Sequence, residues 1–141
     1  MKHLLLILSL ITTQVNADTF ATITLASKHL NSTDRNEKNL GLGINHNGYL
    51  LGFYKNSFKN NTTYIGKEFV TDEATLQWGL QVGLIKGYAD EEIGVESLFH
   101  DYHPLFIPEM LINTTDHTRI KIGLIPNVSN PTMTLQVELR I

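Results

Sequence analysis

The chain gathers side chains able to do chemistry in only a few places. His100-Asp101-Tyr102-His103 sets two imidazoles three residues apart with a carboxylate between them. Such a set holds zinc only where a third ligand converges on it, so we read it as a polar loop leading into Pro104 and expect neither metal nor cofactor. A second set is spread along the chain. Gln77, Gln81, Arg119, Lys121, Gln136, Glu138 and Arg140 recur at alternate positions of alternating segments. Charges and amides repeated in that way share one face of a sheet. Net charge is −3, and the basic residues are scattered rather than clustered, which argues against nucleic acid as a partner. There is no cysteine and hence no disulfide framework.

The elements that must position these groups begin after an address. Met1-Lys2-His3 is a short positive start, Leu4 to Ile11 is an apolar run broken only by Ser9, and Val15-Asn16-Ala17 is a small-x-small site. This is the pattern of a removable signal peptide over residues 1–17, with cleavage after Ala17. The run is far shorter than the roughly 20 apolar residues of a spanning helix. No later segment is apolar enough for one either. A membrane location would therefore require a closed barrel, the other structure that satisfies every backbone group in lipid.

Residues 18–141 alternate, segment after segment, with turn residues between. Leu76, Trp78, Leu80, Val82 and Leu84 share one face, and Gln77, Gly79, Gln81 and Gly83 the other. Met133, Leu135, Val137, Leu139 and Ile141 oppose Thr132, Thr134, Gln136, Glu138 and Arg140; Ile120, Ile122 and Leu124 oppose Arg119, Lys121 and Gly123. Eight strands are expected, at 19–28, 39–46, 49–58, 62–70, 75–88, 104–113, 117–125 and 132–141. Asn45-His46-Asn47-Gly48 is a tight hairpin, since Asn and Gly tolerate positive φ. The longer connections, Asn31 to Lys38 and Ala89 to His103, fall at one end if the strands run up and down. In a membrane barrel the apolar face meets lipid; in a soluble, lipocalin-like periplasmic barrel it points inward. Strands of about 9–11 residues suit the membrane, but alternation fits both. Trp78, Tyr49, Tyr54, Phe53 and Phe69 are candidates for interfacial belts or for ordinary packing.

Three segments carry a family resemblance. Asp34-Arg35-Asn36-Glu37 with Gly41-Leu42-Gly43, then Gly48 to Phe58 with its Tyr54-Lys55-Asn56-Ser57-Phe58, then His103 to Pro108 and Ile122 to Asn127 follow in one order. Together they resemble the lipid A palmitoyltransferases of the PagP type, from about Asp34 to the C-terminus. The resemblance implies an all-β chain, an eight-stranded antiparallel up-and-down β-barrel of outer-membrane type. It implies transfer of a phospholipid acyl chain to lipid A, with those acyl chains and the outer membrane as partners and a monomer as the state. Acyl transfer needs a hydroxyl, a base and a group orienting the base. Ser57 matches the family's Ser in this register, whereas one that keeps the spacing from Gly52 lays Phe58-Lys59-Asn60-Asn61 there and has no Ser; His29 matches its His with a gap. The Asp position is Asn56, an amide that cannot balance an imidazolium; Asp34 is the candidate substitute. The N-terminal amphipathic helix of that family is missing. Prolines near gaps in strand pairing, through which that family is thought to admit lipid, are reduced to Pro126 and Pro108. A non-catalytic barrel, structural or binding a lipid-like ligand, is the alternative.

Overall fold

The computed structural model describes residues 18–32, 34–71, 74–127 and 130–141. The expected signal peptide lies outside them, as does Thr33 of the expected Asn31 to Lys38 connection. Eight strands, β1 (Thr19–His29), β2 (Gly41–His46), β3 (Tyr49–Lys55), β4 (Asn61–Val70), β5 (Leu76–Lys86), β6 (Tyr102–Thr115), β7 (Thr118–Ile125) and β8 (Thr132–Arg140), close into one barrel. Each pairs antiparallel with its chain neighbours, and β8 closes on β1. A closed sheet leaves no unpaired edge to manage.

β2, β3 and β5 are each shorter than the alternation suggests, β5 ending at Lys86. Asn39 turns its amide inward to the Lys55 carbonyl, 2.9 Å away, and β2 begins only at Gly41. Asn56 ends β3, because its side-chain oxygen accepts the backbone N–H of Phe58 (2.9 Å) and Asn60 (3.0 Å). That is the local competition with the ladder that Asn side chains offer. Lys59 takes a φ of 65° inside the turn so formed.

Asn47 and Gly48 both have positive φ, 53° and 79°, the backbone of a two-residue hairpin turn. His100 and Asp101 share that geometry, with φ of 45° and 63°, and Phe99 bridges to Tyr102 across them. His100 is thereby sent to solvent while His103 turns into the barrel and is buried. Among the described residues no three ligand-type side chains converge. The described parts of connections 30–40, 56–60, 87–101 and 126–131 gather at one end, the mouth. The opposite end carries the short turns and both ends of the barrel domain.

The sequence left open which face points outward; the structure places the apolar one there. Leu42, Ile44, Leu51, Phe53, Ile65, Phe69, Leu76, Trp78, Val82, Phe106, Leu124, Met133, Leu135 and Leu139 are all exposed. Their neighbours Asn45, Thr62, Glu68, Gln77, Gln81, Glu109, Arg119, Lys121 and Glu138 are buried. Tyr49, Phe69 and Trp78 stand on neighbouring strands toward the short-turn end. Tyr54, a belt candidate, instead faces inward and meets the Tyr88 hydroxyl at 2.9 Å.

An eight-stranded barrel is just wide enough for its own side chains to fill, and here the lower filling is ionic. Glu68 binds Arg119 (3.0 Å) and Lys121; Glu138 binds both as well, with Lys121 Nζ at 3.3 Å from its Oε1. Glu109 lies 3.6 Å from Lys121 and accepts from Gln81 at 2.7 Å. Phe20 lies beneath, with the Arg119 guanidinium 4.1 Å above its ring. Above this floor sit Leu50, Tyr64, Ile85 and Leu105. Tyr64 lies so close over Gly52 and Gly43 that a Cβ at Gly52 would overlap its ring.

Candidate functional site

Above Tyr64 the filling is incomplete. A cavity of about 130 Å³ opens toward the mouth, with Tyr64, Ile85, Leu105 and Ile107 low in it and His29, Ser27, Ser57 and Asn39 along its polar side. Cavities of that order hold a ring-sized apolar group.

His29 reaches the cavity through a defect in β1. In the β1–β8 register Thr24 faces Gln136 and Ala26 faces Leu135, so Leu25 is an extra residue, a β-bulge. Below it Phe20, Thr22 and Thr24 point inward; above it Ser27 and His29 do. Without the extra residue both would face outward. His29 is paired across the strands with Thr132, and its Nδ1 lies 3.0 Å from Thr132 Oγ1. Its Nε2 is buried with no hydrogen-bond partner among the described residues.

Ser57 lies in the turn after β3, within the same cavity lining as His29. No hydrogen bond joins the two among the described residues. The partner of Ser57 is Ser27, Oγ to Oγ at 3.2 Å. Ser27 gives its own proton to Asn39 Oδ1 at 2.6 Å, and Asn39 Nδ2 is committed to the Lys55 carbonyl. Ser57 is therefore the donor to Ser27, and its lone pairs are left for the cavity.

The two candidate orienting groups sit elsewhere. Asn56 is fully buried, but its Nδ2 binds the Gly87 carbonyl at 2.7 Å and its Oδ1 holds the turn. It shapes the loop that presents Ser57 and does not touch His29. Asp34 is exposed and outside the cavity lining. The group that does meet His29 is Thr132, and sequence reading missed it along with Ser27 and Asn39. Alternation puts Thr132 on the inner face of β8, which is the one signal it gave. Nothing in the sequence marks the bulge that brings His29 opposite it.

A short helix, α1 (Asp90–Ile93), folds over the mouth, with Ile93 packed on the Leu50–Tyr64–Ile85–Leu105 cluster. Asn127 Nδ2 donates to the Glu92 carbonyl at 3.2 Å, joining two mouth loops. His103 Nε2 donates to Asp90 Oδ1 at 2.8 Å, and this bond holds the Asp90 carboxyl below the usual carboxylate range. Burial pushes the Tyr88 phenol up to about 12, so it stays protonated at neutral pH. Arg35 stands 4.1 Å over the Phe58 ring at the rim.

Two ladders stop short of this end. β1 pairs with β2 only from Thr19–His46 to Thr24–Gly41; beyond that its strand partner is β8, and on the other side Ser27 N–H donates to the Glu37 carbonyl at 3.0 Å. β6 pairs with β7 only below Glu109–Gly123, so Tyr102 to Pro108 are laddered to β5 alone. Pro108, which has no N–H to donate, is the first residue past the end of that ladder. Compared with protein-family models and with curated proteins, the chain matches none.

Proposed function

We propose that the chain is an outer-membrane β-barrel that takes a lipid acyl chain into its mouth and transfers it, like the lipid A palmitoyltransferases its sequence resembles. The observation that carries the reading is the inverted polarity of the sheet. A barrel with Trp, Phe, Leu and Ile outside and a buried ion network inside is stable where its outer face meets hydrocarbon. Outward-facing lysines lie toward the strand ends, at Lys28, Lys55, Lys67 and Lys86, where their stems reach headgroups.

The acyl part rests on the mouth. An apolar chamber ends in an imidazole and two hydroxyls, and the strand ladder beside it stops short at two places, the one at β1 crossed by the Ser27–Glu37 backbone hydrogen bond. A lipid in the outer leaflet would pass an acyl segment through one of these gaps, with the carbonyl beside Ser57. His29 Nε2 would take the proton of the attacking acceptor hydroxyl as its oxygen bonds to the carbonyl carbon. The leaving lysophospholipid oxygen would then receive that proton.

A second reading, binding without chemistry, is favoured by one observation: Asn56 is spent on its turn, and among the described residues no carboxylate bonds His29. Mass spectrometry of lipid A from Gram-negative cells separates the two. An added acyl mass with the wild-type chain, lost in His29→Ala and in Ser57→Ala, is expected for the transferase. No added mass from a folded, membrane-inserted wild type would leave a lipid-binding barrel.

A further inference from the structure

The direction of the hydrogen bonds around His29 can be worked out from the protons available. A hydroxyl has one proton to give. Thr132 gives its proton to the Asn130 carbonyl oxygen at 3.2 Å. Both contacts form together only when Thr132 Oγ1 accepts from His29, 3.0 Å away, with Nδ1 as the donor. A neutral imidazole carries one N–H. With that hydrogen on Nδ1, Nε2 presents a bare lone pair. The side chain is more than nine-tenths buried, it lines the cavity, and Nε2 meets no donor among the described residues. An unpaired buried acceptor is costly; it is relieved when something in the cavity offers an O–H or N–H.

We infer that Thr132 is the positioning residue of this site, holding His29 as the Nδ1–H tautomer so that Nε2 accepts a hydrogen bond from a ligand alcohol or amine. Thr132 thus does from β8 what a carboxylate does in a hydrolase triad. It fixes tautomer and ring orientation but, being neutral, lends no charge to an imidazolium. Asn56 is then free for the β3–β4 turn. The ligand class follows from the lone pair: a hydroxyl or amine donor is accepted, and a molecule offering only acceptors is not. The catalytic consequence rests on the acyl-transfer reading; the tautomer does not.

The test is nitrogen-15 NMR of the protein in detergent micelles at a pH where the ring is neutral, with His29 assigned by its loss in His29→Gln. Wild type and Thr132→Ser are expected to show the Nδ1–H tautomer. Thr132→Val, which keeps the shape and removes the acceptor, is expected to lose that preference. A wild-type ring protonated on Nε2, or a Thr132→Val ring unchanged from wild type, would overturn the inference. In the lipid A assay, Thr132→Val is expected to lower turnover on the order of tenfold or more, as removal of a histidine's hydrogen-bond partner does, with Thr132→Ser near wild type. A tautomer shift in Thr132→Val with no acyl transfer by wild type would uphold the inference and remove only the transferase reading.

Discussion

The floor and the mouth of the barrel are built from the same strands and to opposite ends. In the floor, three carboxylates (Glu68, Glu109, Glu138) meet two cations (Arg119, Lys121), with Asn45 and Gln81 adding hydrogen bonds. The charges hold one another where no water is available to do so. In the mouth, His29 Nε2 and His103 Nδ1 meet no hydrogen-bond partner among the described residues, and space is left over. A dense ionic network specifies and seals, even with Glu109 Oε1 lacking a hydrogen-bond partner among the described residues; open space beside an unpaired imidazole nitrogen leaves capacity for a ligand. The floor should therefore govern stability and the mouth function.

Lys121→Met is the sharpest way to break the floor. It leaves three buried carboxylates with Arg119 alone, and a loss of about 3–5 kcal/mol is expected in urea unfolding from lipid vesicles. On the outer wall, Ile65→Arg puts a charge midway along β4, costing about 2–4 kcal/mol if that face lies in hydrocarbon. At the boundary between the compartments, Gly52→Ala drives a methyl into the Tyr64 ring, for a loss of roughly 1–3 kcal/mol. Tyr64→Leu in the same chain should recover part of it. In the mouth, Ser57→Ala removes one hydrogen bond, about 1 kcal/mol or less, yet is expected to end acyl transfer. An equal stability loss from Ser57→Ala and Lys121→Met would erase the comparison.

The gentlest perturbation is of the loop over the mouth. The Asp90 carboxyl is held low chiefly by the His103 hydrogen bond. Its contribution is therefore fully present above the ordinary carboxylate pKa of about 4. It fades as pH falls through the lowered value. Amide exchange in residues 87–101, corrected for intrinsic rates, should speed up in that acid range. Asp90→Asn should bring the faster exchange to neutral pH.

Much of the architecture was legible because period-two alternation is a direct consequence of the pleat. Leu76 to Leu84 and Met133 to Ile141 reveal their faces in any register, and Asn47-Gly48 declares its hairpin. Alternation is symmetric to inside and outside, however, so which face points outward had no answer until Trp78 and Gln77 were placed. The site was legible in part. His29 and Ser57 do line one cavity. Their relation depends on an extra residue at Leu25, which no local pattern marks because Leu25 and Ala26 suit a strand equally well. Asn56 looked like a degraded catalytic position and is a turn residue, a role that Asn plays by bonding nearby backbone. Thr132 was invisible as a partner because its contact with His29 spans the closure of the barrel.

The inverted polarity of the wall is the central claim, and Trp78 tests it most directly. It is the chain's one tryptophan, 62% exposed on the outer face near the short-turn end. The measurement is its fluorescence in vesicles whose acyl chains carry bromine at a defined depth. An outer face in lipid predicts blue-shifted emission that brominated chains quench, most strongly when the bromine lies near the interface. Water-like emission, unquenched at every depth in a protein that stays folded without detergent, would contradict it and make the barrel a soluble one.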